Sequence, residues 1–226
     1  MMNTRKYVLF GLIAVLIIGV TSWLIYQSKN QYEPQTYNVN SYLDMALGGD
    51  IEKSVGFARD IVFGHYVKHE EEYHMGSGYW GDIYTFKVEE TLLGHAQDEI
   101  QVLISHYRKL SETIDGHLYE ADVPLPDFVK PDMSKKYIVM LAYLKDRNNY
   151  SPAVVPNHIE LDANDIATLK FNPETTAIEK NKRGDQVIFT LESADISQFD
   201  KITGLSKDQI LHEIKKEIVK KQAAEQ

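Results

Sequence analysis

YIVMLAYL, residues 137–144, contains no charged side chain, and apolar residues occupy both its odd and its even positions. Successive side chains of a β-strand point to opposite faces of the sheet, so this pattern predicts a strand that is covered on both faces. Other segments alternate apolar and polar residues with a period of two, which predicts half-buried strands. These segments are Ile61–Val67, Ile83–Leu92 and Ile100–Ser105. The stretch at 137–144 is therefore expected to be a central strand.

Further strand candidates follow the central strand. They are Tyr150–Val155, His158–Leu161 and Gln186–Leu191. The segment Tyr107–Lys136, in contrast, contains Pro124, Pro126 and Pro131 and shows no clear period. We expect it to form a long loop over one end of the sheet, where loops often carry function.

Short helices are expected before the sheet, and a longer one after it. Tyr42–Leu47 stops at a pair of glycines, and Asp50 can cap a second helix over Ile51–Ala58. Near the end of the chain, Ser206 and Gln209 have the spacing of a capping box. The helix after this box has one apolar stripe, formed by Ile210, Leu211, Ile214, Ile218 and Val219. Such a stripe is typical of a helix that packs on a domain.

The N-terminal segment YVLFGLIAVLIIGVTSWLIY, residues 7–26, has no charge and is long enough to cross a bilayer as a helix. Arg5 and Lys6 precede it, so the positive-inside rule places the N-terminus in the cytoplasm and the rest of the chain outside. We expect a single-pass signal anchor in the plasma membrane, in contact with the lipid bilayer. A cleaved signal peptide is the alternative, although no small-residue cleavage site is evident.

This organisation divides the chain into five parts. They are a cytoplasmic basic tail (1–6), the transmembrane helix (7–26), a stalk (27–39), an extracytoplasmic β-rich domain (40–203) and a C-terminal amphipathic helix (204–226). The expected fold class is thus a transmembrane α-helix followed by a mostly β (α+β) domain.

The charge balance limits the possible partners. After residue 30 the chain carries 21 basic and 33 acidic residues, a net charge of −12. Nucleic acids and anionic lipid surfaces would be repelled, so no nucleic-acid partner is expected. The chain has no cysteine, which excludes disulfides, thiolate metal sites and thiol catalysis.

Three histidines and three glutamates lie within HYVKHEEEYH, residues 65–74. Imidazole and carboxylate groups are ligands for divalent metals, so His65, His69 and His74 form a candidate metal site. The spacing matches no zinc-protease motif, because Tyr73 stands where the second histidine would be required. A charged end of a hairpin explains the same residues, and otherwise no cofactor is expected.

Aromatic residues next to the glycines of MGSGYWG, residues 75–81, suggest a second kind of site. These glycines suit a flexible hairpin tip, and Tyr79 and Trp80 at that tip are candidates for a binding surface. Alternatively, the two aromatic side chains fold back on the end of the barrel. Tyr107 and His117 of the expected loop are candidates for the same surface.

Three stretches together carry a resemblance to a known group. They are RDIVFGHYVKHEEE (59–72), DIYTFKVEETLLGHAQDEIQVLI (82–104) and KKYIVMLAYLKD (135–146). In order and pattern they resemble bacterial membrane-anchored exported proteins that have an OB-fold or netrin (TIMP)-like domain. The resemblance implies an OB-like, Greek-key β-barrel and an extracytoplasmic location, and it carries over no functional residue.

No motif of the sequence defines an enzyme. We therefore expect a membrane-anchored protein of the cell envelope whose external domain binds an unidentified ligand or protein. A metal-dependent enzyme or metal-binding module using residues 65–74 is one alternative, and a modulator of a membrane-protein partner is another.

Overall fold

The computed structural model describes residues 20, 21, 23, 32–76, 78–156 and 158–224. The predicted basic tail, residues 1–6, lies outside the described residues, and so does the predicted transmembrane helix, residues 7–26, apart from three positions. Within the described ranges, none of the helices is both long enough and apolar enough to cross a membrane.

The described residues form a mostly β fold with a minor helical part, as predicted. The helices are α1 (Ile51–Phe57) and α2 (Lys207–Ala224). The strands are β1 (Thr36–Tyr42), β2 (Asp60–Gly76), β3 (Tyr79–Leu93), β4 (Glu99–Ile114), β5 (His117–Pro124), β6 (Lys136–Leu144), β7 (Asn149–Pro152), β8 (Ile159–Leu161), β9 (Ala167–Thr168), β10 (Glu174–Lys180) and β11 (Gln186–Glu192).

Five of the strands form a closed circuit, which we call the closed sheet. Strand β2 pairs with β3, β3 with β4, β4 with β7, β7 with β6, and β6 again with β2. All of these pairs are antiparallel except β4 and β7, which run parallel. Strands β8 and β9 extend the sheet beyond β6. The prediction of a central strand at 137–144 is confirmed, since β6 has a neighbour on each side.

The two faces of β6 contact different cores, which explains why this strand is apolar throughout. Tyr137, Val139 and Leu141 point into the closed sheet, where they pack with residues of β2, β3 and β4. Ile138 and Met140 point outward and pack against α1 and α2. A strand covered on both faces needs no polar positions, so its sequence loses the usual alternation.

Helix α2 begins with the predicted capping box. The backbone N–H of Gln209 donates to Ser206 Oγ, and the backbone N–H of Ser206 donates to Gln209 Oε1 at 2.9 Å. Ile210, Ile214 and Ile218 of the predicted stripe are buried. Val219 is 66% exposed, so its inclusion in the stripe was wrong.

The predicted loop over Tyr107–Lys136 is wrong for most of its length. Residues 107–114 continue β4, and the Asp115-Gly116 turn leads into β5, so this part of the chain is a hairpin. Both turn residues have positive φ, which suits the twist of a tight hairpin. The hairpin packs with β11 in a core of its own, which includes Leu110, Tyr119 and Phe189. The Asp-Gly signal was present in the sequence, but the nearby prolines obscured the alternation.

The start of the domain also differs from the prediction. No helix forms over Tyr42–Leu47, and residues 36–39 of the predicted stalk belong to β1. The backbone here bonds to distant segments instead, as when the N–H of Leu43 donates to the carbonyl of Glu192 at 2.8 Å. The second predicted helix is present as α1, with Asp50 accepting from the N–H of Glu52.

The chain divides into two compact units. The smaller comprises Met1–Thr36 and Asn181–Gln186, and the larger comprises Tyr37–Lys180 and Val187–Gln226. Within the smaller unit, Asp185 accepts hydrogen bonds from the Tyr32 hydroxyl and from the Gln35 N–H. These hydrogen bonds lower the pKa of the Asp185 carboxyl, and the bond from Tyr32 has the largest effect. All sites described below lie in the larger unit.

Candidate functional site

A large polar pocket, which we call the end pocket, lies at one end of the closed sheet. Its volume is about 790 Å³. It is built from the start of β2, the connection between β3 and β4, and the connection between β6 and β7. The lining residues are Arg59, Asp60, Gly94, His95, Gln97, Glu99, Ile100, Gln101, Tyr143, Asn148 and Tyr150. Its size is within the range of sites for small ligands.

The connection between β3 and β4 is attached to the rest of the pocket by Asp60. This side chain is buried, and its Oδ1 accepts a hydrogen bond from the backbone N–H of His95 at 2.7 Å. Gly94 allows the approach, because a Cβ atom there would lie 2.0 Å from the same oxygen. Its φ of +86° is also one that side chains rarely adopt. Asp60 and Gly94 belong to separate stretches of the resemblance and meet here.

The opposite wall of the end pocket is aromatic. The guanidinium of Arg59 lies over the ring of Tyr143, 5.1 Å from its centroid, and the rings of Tyr143 and Tyr150 are 5.2 Å apart. The Tyr143 hydroxyl donates to Asn148 Oδ1 at 2.7 Å, and Asn148 has left-handed backbone geometry. Burial raises the pKa of the Tyr150 hydroxyl, and the negative charge of Asp60 raises it further. The hydroxyl therefore stays protonated and can donate a hydrogen bond.

Several polar groups of the end pocket can both donate and accept hydrogen bonds. Gln97, Gln101 and Asn148 carry amides, each of which is both a donor and an acceptor. The pocket therefore offers aromatic faces and paired donors and acceptors.

The three histidines of the predicted metal site are not brought together. His65 Nδ1 lies 2.9 Å from Glu89, and His69 Nε2 lies 3.0 Å from Asp82. His74 instead contacts Trp80, with the two rings tilted and their centroids 4.6 Å apart. His74 is out of phase with His65 and His69 in the two-residue period of a strand, and the pairing of β2 with β3 is irregular between them, so the three rings do not follow one face. In the part of the chain that the structure describes, no group of three such side chains has an arrangement that would hold a metal ion.

A different polar cluster, the mouth cluster, lies where the interior of the closed sheet opens toward the β2–β3 hairpin tip. Its centre is Asp82, which contacts His69, accepts from the Tyr84 hydroxyl at 3.1 Å and lies 3.4 Å from Nδ1 of His106. His106 Nε2 lies 3.2 Å from Glu72. His106 was not among the predicted site residues. The inward-facing residues of β4 are every second one, namely Ile100, Val102 and Ile104, and His106 is the next position in this series. The same period would therefore have predicted that His106 faces inward.

Two of the predicted binding residues meet above the mouth cluster. Trp80 and Tyr107 stack with ring centroids 5.7 Å apart. Tyr79 contacts Arg108 instead and packs against the core of the β4–β5 hairpin. His117 lies at the far end of that hairpin, opposite Ile114, because the predicted loop is a pair of strands. The structure thus joins Trp80 with Tyr107 and separates the other two residues from them.

Comparisons with protein-family models, with curated proteins and with solved structures found no significant match. The functional argument therefore depends on the chain's own residues.

Proposed function

We propose that the chain is a single-pass membrane protein of the cell envelope whose extracytoplasmic OB-like domain binds a neutral, hydroxyl-rich ligand, such as a glycan segment, in the end pocket. The single observation that carries the binding proposal is the combination of an aromatic wall and side-chain amides around one large pocket.

The OB-like assignment is supported by the strand circuit. Numbered within the closed sheet, the strands follow the order 1-2-3-5-4-1, with the third and fifth parallel. Five-stranded Greek-key barrels of the OB type bind oligonucleotides and oligosaccharides through their strand faces and loops. The net charge of −9 disfavours the oligonucleotides, which leaves the neutral ligands of this fold.

The chemistry of the end pocket favours the same class. A hydroxyl is both a donor and an acceptor, as are the amides of Gln97, Gln101 and Asn148. Tyrosine presents an apolar face next to a polar hydroxyl, which matches the alternating faces of a sugar ring. Arg59 lies beside Asp60, with Nε and Oδ2 3.9 Å apart, so its charge is partly compensated. A strongly charged ligand is therefore not required.

The membrane part of the proposal depends on residues 7–26. Their uncharged length and the basic residues before them are consistent with an anchor that leaves the domain outside the cytoplasm. A tether of this kind would keep the end pocket close to the glycans of the envelope.

The test is an NMR titration of the full-length protein in a mild detergent with neutral oligosaccharides of glucose, galactose and N-acetylglucosamine. We expect saturable shifts at residues of the end pocket. Gln97→Ala should weaken the affinity about two- to tenfold, because it removes about one hydrogen bond to the ligand. Gln222→Ala, at the exposed end of α2, is the matched control and should leave the affinity unchanged.

Two results would contradict the proposal. One is the absence of shifts at about 10 mM oligosaccharide, where a complex with a binding free energy of about −3 kcal/mol is already populated. The other is binding to which Gln97→Ala and Gln222→Ala respond equally, because the ligand would then bind elsewhere.

A further inference from the structure

A second, smaller cavity is lined by a buried carboxylate, one oxygen of which has no hydrogen-bond partner. The cavity has a volume of about 160 Å³ and lies between the segment before α1, the end of β2 and the segment after β7. Asp127 lines it, is 3% exposed, and has an Oδ1 atom that is buried and accepts no hydrogen bond. Among the described residues, no ion pair includes Asp127. Such a group is costly to bury unless a cation or a proton compensates it.

Burial raises the pKa of Asp127 to about 6, and the hydrogen bond from its own backbone N–H offsets only part of that effect. The carboxyl is therefore mostly ionised at neutral pH. A cation that enters the cavity would meet a full negative charge in a poorly solvated place.

The rest of the cavity determines what kind of cation fits. Leu103, Val154 and the thioethers of Met45 and Met75 form an apolar wall, and methionine adapts readily to a flexible aliphatic chain. Met45 is 39% exposed and so lies at the rim. A volume of 160 Å³ equals the liquid volume of about five water molecules, which corresponds to about five non-hydrogen atoms of a ligand.

Two serines line the same cavity as Asp127, and their hydroxyl oxygens are acceptors that suit the donors of an ammonium group. The hydroxyl of Ser105 donates to Met75 Sδ at 3.3 Å, which leaves the lone pairs of its oxygen to accept. Ser151 lines the same cavity with a second hydroxyl. A primary ammonium has three N–H donors, and Asp127, Ser105 and Ser151 supply three acceptors.

We propose that this cavity binds a primary ammonium group on a short unbranched aliphatic chain, with Asp127 as its counter-ion. A free aliphatic amine and the lysine side chain of a peptide both present this chemistry.

The experiment follows the methyl signals of ¹³C-labelled methionines in the full-length protein, in an amine-free phosphate buffer. The probes are n-butylammonium, its neutral analogue n-butanol, and Nα-acetyl-lysine N-methylamide. We expect n-butylammonium to shift the signals of Met45 and Met75 saturably. Asp127→Asn should weaken this binding at least tenfold, while Asp122→Asn, which removes an exposed carboxylate, should leave it unchanged.

The proposal is overturned if n-butylammonium leaves both methionine signals in place, if n-butanol binds equally well, or if Asp127→Asn binds as tightly as the unmodified protein. The lysine derivative separates the two sources. Binding as tight as that of n-butylammonium assigns the site to a lysine side chain, and much weaker binding assigns it to a free amine.

Discussion

Replacing Asp127 by Asn tests whether the buried carboxylate is as isolated as its surroundings indicate. The substitution preserves the shape of the side chain and removes its charge. Asp127 is 3% exposed, so solvent screens that charge very little. Any effect of the charge on folding should therefore appear as a pH-dependent difference between the two proteins.

The sign and size of this difference follow from the pKa. In the folded protein the pKa of Asp127 is raised from 3.8 to about 6. The stability gained from protonation is complete below about pH 3, where the carboxyl is protonated in both states, and is lost as the pH rises through about 6. Two pKa units correspond to about 3 kcal/mol. Relative to Asp127→Asn, the free energy of unfolding of the unmodified protein should fall by about 3 kcal/mol between pH 3 and pH 7.

The assay is urea unfolding of the full-length proteins at several pH values, in buffers that contain no amine. A constant cost of burying the Asn amide shifts every point equally, so only the slope with pH is diagnostic. Asp122→Asn, at an exposed position, should show no such slope. If the difference for Asp127→Asn is also independent of pH, the carboxylate is solvated or paired and the reasoning is wrong.

Two further predictions concern the end pocket and the membrane. Gly94→Ala should destabilise the protein by more than about 3 kcal/mol, because the new Cβ would lie 2.0 Å from Asp60 Oδ1 in addition to the cost of positive φ. Gly116→Ala is the control, because Gly116 has a φ of +77° but no atom within 4 Å of the new Cβ, and it should cost only about 1–2 kcal/mol. If urea unfolding gives the two variants equal losses of stability, the steric argument is wrong. The full-length protein should stay in membranes after carbonate extraction and a variant lacking residues 1–26 should not, whereas release of both would remove the proposed anchor.

Periodicity alone predicted most of the closed sheet, since β2, β3, β4 and β6 all lie where alternation or a continuous apolar run placed them. The capping box at Ser206 was also predicted from the sequence, because it depends on two residues that are only three positions apart. The β4–β5 hairpin was missed although Asp115-Gly116 marks its turn. Strand β1 was missed as well, because its partner β11 lies far along the chain, whereas β10 was missed although its partner β11 is the next strand.

The candidate sites depended even more on long-range contacts. The sequence grouped His65, His69 and His74 by their spacing, but pairing with β3 gives each histidine a different neighbour. Asp60 and Gly94 meet only because β2 and β3 are adjacent, and neither residue was a candidate by itself. Local sequence determined which side chains face the core, since that depends on backbone geometry within a few residues. Only the tertiary structure decided which of them share a pocket, because strand pairing brings together residues that are distant in sequence.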